Sequence, residues 1–253
     1  MTTRLDGRRI IVTGGASGMG AGLVRGLPAL GARVVSLDVA AEQGAAVADS
    51  VSVPFVAADL TEEAEVQRAV DEAAERLGGV DVLIHAAGVA PAAPAETTPL
   101  ALWRQVMDVN ATSTFLTNQA VFPHLREHGG AILNFASAAG IKGLPRKSAY
   151  SASKGAVLAW TRTVAREWGR YGITVNAIVP AIWTPMFDRT RSELDAEQLA
   201  DLDEQLARTI PIGGRLGRIE EDFVPFIAFY ASVGAGFVTG QALAVDGGQL
   251  SAG

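Results

Sequence analysis

Tyr150 and Lys154 stand four residues apart in Tyr150-Ser151-Ala152-Ser153-Lys154, where a helical pattern begins. Residues at i and i+4 share one helix face, roughly 6 Å apart along the axis. A lysine ammonium so placed favours tyrosinate and lowers a pKa that starts at about 10, as a general acid/base near neutrality requires. A bare Tyr-x-x-x-Lys is more often a surface tyrosine beside a solvated lysine, so the neighbours decide. Ser137 lies thirteen residues earlier, directly after the apolar run Ile132-Leu133-Asn134-Phe135. It therefore emerges at the carboxyl end of a strand, the edge where open α/β sheets bind ligands.

A second constellation lies near the start. The run 9–13 leads into Thr13-Gly14-Gly15-Ala16-Ser17-Gly18-Met19-Gly20 and then a helical pattern. Glycines let the backbone turn tightly and approach a pyrophosphate, and the helix N-terminus offers free N–H groups and a positive dipole end. The spacing is G-x-x-x-G-x-G rather than the common G-x-G-x-x-G. Asp38 closes the next strand, twenty-four residues after Gly14, where a carboxylate can accept both hydroxyls of an adenosine ribose and repel a 2′-phosphate. The glycine loop carries no arginine or lysine, and Val39 follows Asp38. This pairing favours NAD over NADP.

The elements that must position these groups follow one rhythm. Strand patterns at 9–13, 33–37, 53–57, 81–85, 131–136, 174–179 and 242–245 alternate with helical patterns near 18–30, 41–49, 62–77, 99–127, 148–170, 193–207 and 222–232. Several strands are apolar on both faces, as in sheets covered by helices on each side. The prediction is one α/β domain over 1–253, a doubly wound, Rossmann-type, seven-stranded parallel sheet flanked by helices. The polar segment 185–221 follows a strand end and is placed as a substrate lid. The stretch 223–245 carries no charge, yet Pro225, Gly234, Gly236, Gly240 and Gln241 interrupt it, so it reads as a buried helix and strand rather than a membrane span.

Composition narrows the chemistry. The 253 residues include no cysteine and three histidines, which excludes disulfides and thiolate metal sites and leaves no zinc cluster expected. With 21 basic and 27 acidic residues the formal charge is −6, which argues against a nucleic-acid binder held by phosphate contacts. No export signal is visible, and a reducing, cytoplasmic setting is expected.

Together these motifs resemble the short-chain dehydrogenase/reductase family over almost the whole chain. Residues 14–20 resemble its T-G-x-x-x-G-x-G loop, which implies cofactor contacts from Gly14, Ser17, Gly18, Met19 and Gly20. Asp59-Leu60 resembles its adenine-contacting pair, and Asn110 the helix asparagine that holds a water in the proton relay. Ser137, Tyr150 and Lys154 fall at the family's spacing, and Asn176–Pro180 and Val245-Asp246-Gly247-Gly248 also match. Departures exist. The usual N-N-A-G is His85-Ala86-Ala87-Gly88, leaving backbone contacts from Ala87 and Gly88 and casting His85 as a satisfied strand-end residue. After Pro180 stands Ala181 where glycine is usual, with Ile182 and Thr184 as carboxamide contacts, and an extra glycine lies near Gly213-Gly214.

The resemblance implies hydride transfer between a nicotinamide and a carbon bearing an alcohol or ketone. Tyr150 would exchange the proton, Ser137 would bond the substrate oxygen, Lys154 would tune Tyr150 and hold the ribose, and Asn110 would link the relay to solvent. It also implies a homotetramer pairing the helices at 99–127 and 148–170, with the last strand in a second interface. Two rivals are an NADPH-dependent 3-oxoacyl-thioester reductase, disfavoured by Asp38, and a non-catalytic nucleotide-binding protein, disfavoured by the complete Asn-Ser-Tyr-Lys set. Residues expected to flank the nicotinamide end are Val89, Ala90, Pro91, Ala138, Ala139, Leu144, Trp183, Met186 and Phe187. They offer no charge, with Arg146 and Lys147 facing solvent, so a neutral, hydrophobic secondary alcohol or ketone is expected. A cation from the lid, at Arg189, Arg191 or Arg215, would alter that picture of the pocket.

Overall fold

The computed structural model describes residues 3–250, except for the side chains of Met186 and Thr190. Strands β1 (Arg9–Thr13), β2 (Arg33–Asp38), β3 (Phe55–Ala57), β4 (Val82–His85), β5 (Gly130–Phe135), β6 (Ile173–Pro180) and β7 (Ala242–Val245) form one parallel sheet. Their order is β3-β2-β1-β4-β5-β6-β7. The order reverses beside β1, which opens a crevice outside the carboxyl ends of β1 and β4. Successive strand residues face opposite sides, so Ile10 and Val12 join one core and Ile11 the other. Helices α1 (Gly18–Gly26) and α2 (Ala41–Asp49) cover the first side. Helix α3 (Glu63–Leu77) covers the second, burying Val66, Ala69, Val70, Ala73 and Leu77 at helical spacing. Arg9 pins the start of β1 to the turn before β4, donating to the Asp81 carboxylate at 2.7 Å and to the Gly78 carbonyl at 2.6 Å.

The pattern at 99–127 is not one helix. It divides into α4 (Leu100–Met107), a π-helical turn at Asp108–Thr112, and α5 (Ser113–Leu125). Hydroxyl groups widen the turn: Ser113 donates to the Val109 carbonyl at 2.6 Å and Thr114 to that of Asn110 at 2.7 Å, in competition with the backbone ladder. Two helices outside the predicted set appear, the short α6 (Ala139–Lys142) and, after α7 (Ser148–Trp168), α8 (Pro185–Ser192). The pattern at 193–207 becomes α9 (Ala196–Thr209). Asp195 sets its start, accepting the Gln198 N–H at 2.9 Å while Gln198 returns the bond at 3.1 Å. The uncharged 223–245 stretch supplies α10 (Val224–Ala231) and β7, but β7 is not the buried strand expected: as the sheet's edge it alternates exposed and half-buried residues. No helix among the described residues is long and apolar enough to cross a membrane.

His85 ends β4 and is buried. Its Nδ1 lies 3.0 Å from the hydroxyls of both Thr13 and Thr117, and its Nε2 lies 3.1 Å from the Ser113 hydroxyl. Ser113 spends its proton on Val109, so it accepts from Nε2–H. Thr117 donates to the Ser113 carbonyl at 2.8 Å, which leaves Thr13 to donate to Nδ1. The ring is thus satisfied as the neutral Nε2–H tautomer, as the sequence implied. Burial, helped by the Lys154 charge, pushes its pKa down to about 3. The folded value lies below the unfolded one, so between about pH 6.5 and about 3 the unfolded chain binds the extra proton. Stability from this site is present above that window and is lost as pH falls through it. His85→Gln is therefore expected to melt below the parent at about pH 7, with the difference in melting temperature shrinking at about pH 5. A constant difference across that range would show that His85 does not titrate on unfolding.

Candidate active site

A cavity of about 410 Å³ opens at the carboxyl ends of β1, β4 and β5. At one end stands the glycine loop. Gly14 has φ 69°, and a Cβ there would lie 2.7 Å from the Ala87 amide nitrogen, while a Cβ on Gly20 would lie 2.1 Å from the Gly14 carbonyl oxygen. Gly18 has φ 54° and open space beside it. Ser17 caps α1 in an extended conformation without bonding the helix through its side chain, and the first turn carries no acid. Those N–H groups suit an anion. Asp38 stands at the loop's mouth, accepting from Ala16 N–H at 3.0 Å and Ala40 N–H at 2.9 Å. Asp59, Leu60, Ala87 and Gly88 also line the space. A loop that admits no Cβ at positions 14 and 20, an anion-ready helix end and a carboxylate at the mouth together fit a nicotinamide dinucleotide.

At the other end Ser137, Tyr150 and Lys154 face the same cavity, with Pro180 and Thr184. The Ser137 Oγ accepts the Ala139 N–H at 3.1 Å, which leaves its own proton to donate. Lys154 is buried and donates to the Phe135 carbonyl at 2.7 Å, its Nζ 5.8 Å from the centre of the Tyr150 ring. Burial pushes Lys154 down to about 8 and Tyr150 above its usual value, against which the Ser137 hydroxyl pulls Tyr150 back. Lys154 shares the helix face with Tyr150 as expected, but burial and Ser137, not the ammonium, govern the phenol here. Charge on Lys154 is present below about pH 8 and lost above it.

Asn110 does not line the cavity. Its Oδ1 accepts the Val89 N–H at 2.8 Å, and its Nδ2 donates to the Val89 carbonyl at 2.9 Å and to Ser153 Oγ at 3.0 Å. Ser153 in turn donates to the Tyr150 carbonyl at 2.8 Å. Ser153 escaped the sequence reading, although its place one helical turn beyond Tyr150 was a usable signal.

Several expected positions are corrected. Ile182 does not line the cavity: its side chain joins the core with Phe223, and what it can offer a ligand is backbone. Of the expected apolar walls, Val89 and Ala90 line the cavity. Pro91, Ala138, Ala139, Leu144, Trp183 and Phe187 do not, and the Met186 side chain lies outside the described residues. Ala139 is buried in α6, Leu144 is exposed, and Trp183 and Phe187 stack edge to face at 4.8 Å, with Arg191 over the indole. Lys147 does not face solvent freely. It is half-buried and donates to the Ala90 carbonyl, while the Arg146 carbonyl accepts the Ala93 N–H at 2.9 Å. Together they staple the wall loop to the start of α7. Arg146 is exposed, as expected. Of the lid cations, Arg191 and Arg215 are held by Asp203 and Asp222, whereas Arg189 lines the cavity. The lining is therefore not free of lid charge.

Comparison with known proteins places this geometry. A family model described as enoyl-(acyl carrier protein) reductase matches residues 14–249. Levodione reductase of Leifsonia aquatica is 36% identical, over 99% of this chain and 97% of its own. L-2,3-butanediol dehydrogenase of Corynebacterium glutamicum is 36% identical, over 95% of this chain and 97% of its own. The crystal structure of levodione reductase superposes with a TM-score of 0.87 at 35% identity, covering 99% of this chain and 100% of that one. The chain belongs to the short-chain dehydrogenase/reductase family and is an oxidoreductase of the kind that interconverts secondary alcohols and ketones.

Proposed function

We propose that this enzyme uses NAD, and that Ser137, Tyr150 and Lys154 carry its chemistry on a neutral, largely apolar secondary alcohol or ketone. The observation that carries this reading is the convergence of those three side chains on the cavity that the glycine loop and Asp38 close at its far end. When bound, the nicotinamide takes or supplies the hydride. Tyr150 accepts the proton of the substrate hydroxyl during oxidation and returns it during reduction. Burial favours its phenol, the donating form, and the bond with Ser137 favours the phenolate. Ser137, its oxygen already engaged by Ala139, directs its own proton to the substrate oxygen as charge grows there. Asn110 acts as a positioning residue through Val89, and its amide is fully engaged by protein.

The roles of Gly14, Ser17, Gly18, Met19, Gly20, Asp59, Leu60, Ala87, Gly88, Pro180 and Thr184 as cofactor contacts rest on their place in the cavity lining. Ile182 contributes through its backbone. Segment 185–221 acts as the lid of a single domain. The small, apolar Val89 and Ala90 support an uncharged substrate, as do the dione and diol in the names of the two relatives. A homotetramer accounts for two exposed apolar groups, Leu100, Trp103 and Phe115 on α4 and α5, and Phe229, Val233 and Phe237 around the end of α10.

Three measurements test these statements. Tyr150→Phe is expected to lower kcat by at least ~10²-fold while NADH affinity changes little, because the ring still packs; retained turnover would remove Tyr150 from the proton step. NAD is expected to exceed NADP in kcat/KM by about two orders of magnitude, or ~3 kcal/mol, with Asp38→Ser narrowing the gap; equal use of NADP by the parent would refute the role of Asp38. Sedimentation at micromolar concentration is expected to give a tetramer, and a monomer would refute the assembly.

A further inference from the structure

Arg189 takes no part in proton or hydride transfer, yet it is one of only two cationic side chains, among the described residues, that line the cavity. The other, Lys154, is committed to the Phe135 carbonyl at the Tyr150 end. Every other charge on the lining is negative, from Asp38 and Asp59. The glycine loop itself supplies no lysine or arginine, only N–H groups and the positive end of α1. A dinucleotide brings two negative charges on its diphosphate into this space. Arg189 is the one guanidinium on that lining among the described residues.

The neighbouring arginines make this assignment selective. Arg191 pairs with Asp203 and lies 5.2 Å over the Trp183 ring, Arg215 donates to Asp222 at 3.1 Å, and Arg218 donates to Glu221 at 2.6 Å. Each braces the lid internally. Arg189 is exposed and pairs with no carboxylate among the described residues, so it carries no competing partner to release. A planar guanidinium can also grip two phosphate oxygens at once, which a point-charge ammonium does less well.

We propose that Arg189 is an anion-recognition residue that bonds the cofactor's diphosphate from the lid side, and so fastens α8 over the cavity when a dinucleotide is bound. The core then contributes backbone N–H groups to one face of the diphosphate and the lid contributes the compensating charge to the other. Adenosine alone would engage Asp38 without engaging the lid. The inference rests on the reading of the cavity as a dinucleotide site.

The experiment uses ADP-ribose, which carries the diphosphate without the reacting ring, and titrates it by calorimetry into the parent, Arg189→Gln and Arg189→Lys. The expected result is an approximately tenfold weaker affinity in Arg189→Gln for both ADP-ribose and NADH, with a smaller loss in Arg189→Lys and unchanged adenosine affinity. Hydrogen exchange across α8 and α9 is expected to slow on adding ADP-ribose to the parent and not to Arg189→Gln. Unchanged ADP-ribose affinity in Arg189→Gln would overturn the proposal. So would a loss confined to the kcat/KM of a carboxylate-bearing substrate against its neutral partner, since Arg189 would then serve the substrate. If the parent itself bound neither ADP-ribose nor NADH, the dinucleotide reading would fail as well, which separates the two failures.

Discussion

Two hydrogen bonds between the Asn110 amide and the main chain of Val89 hold the reacting end of this molecule in register. Val89 belongs to the loop leaving β4, Asn110 to the widened turn between α4 and α5, and the third bond from Asn110 reaches Ser153 on α7. Three segments far apart in sequence therefore share one buried amide. Gly88 is small for the same reason: a Cβ there would lie 3.0 Å from Asn110 Oδ1 and 3.3 Å from the Lys154 ammonium. The π turn makes the clamp possible. One residue beyond the regular helical repeat rotates the next helix by roughly 100° about its axis. Asn110 can then face the loop while Ser113 and Thr117 face His85.

Burial, rather than charge pairing, sets the acidity of the groups around that clamp. Lys154 and His85 are pushed down and Tyr150 up, each toward its neutral form, because a low-dielectric interior penalises an uncompensated ion. At Tyr150 the Ser137 hydroxyl opposes this. A site built this way holds little fixed charge in reserve. Its two lining carboxylates stand on the side of the glycine loop, away from the phenol that must gain and lose a proton.

What could be read from the residues was whatever obeys local rules. All seven strands were legible, because β-branched runs bounded by glycine and polar residues carry their own signature. The glycine loop, Asp38 and the face shared by Tyr150 and Lys154 were legible because each follows from local spacing and from its place at a strand end. The illegible parts depend on contacts distant in sequence. Hydroxyls that spread a turn at 108–112 look like ordinary helix residues until their carbonyl partners are known. Lys147 looks solvated until the loop holding Ala90 folds back upon it. Ile182 fits a cofactor motif, but its side chain joins the core and packs over Gly217, thirty-five residues away. Trp183 and Phe187 were expected in the pocket wall because they are apolar and near in sequence, yet they satisfy each other first.

The position of β7 at the sheet's edge has a consequence for how the chain is made. Strand β6 is buried along almost its whole length, and its outer edge is completed when Ala177 pairs with Ala242 and Pro180 with Val245. Between the two strands lie α8, α9 and α10. During synthesis from the N-terminus, at roughly 5–20 residues per second, β6 therefore spends on the order of seconds with its backbone donors and acceptors open. An apolar parallel strand in that state is a template for pairing with other chains. The intervening helices emerge first and β7 last, so the nascent protein must shelter the β6 edge until its final strand closes the sheet.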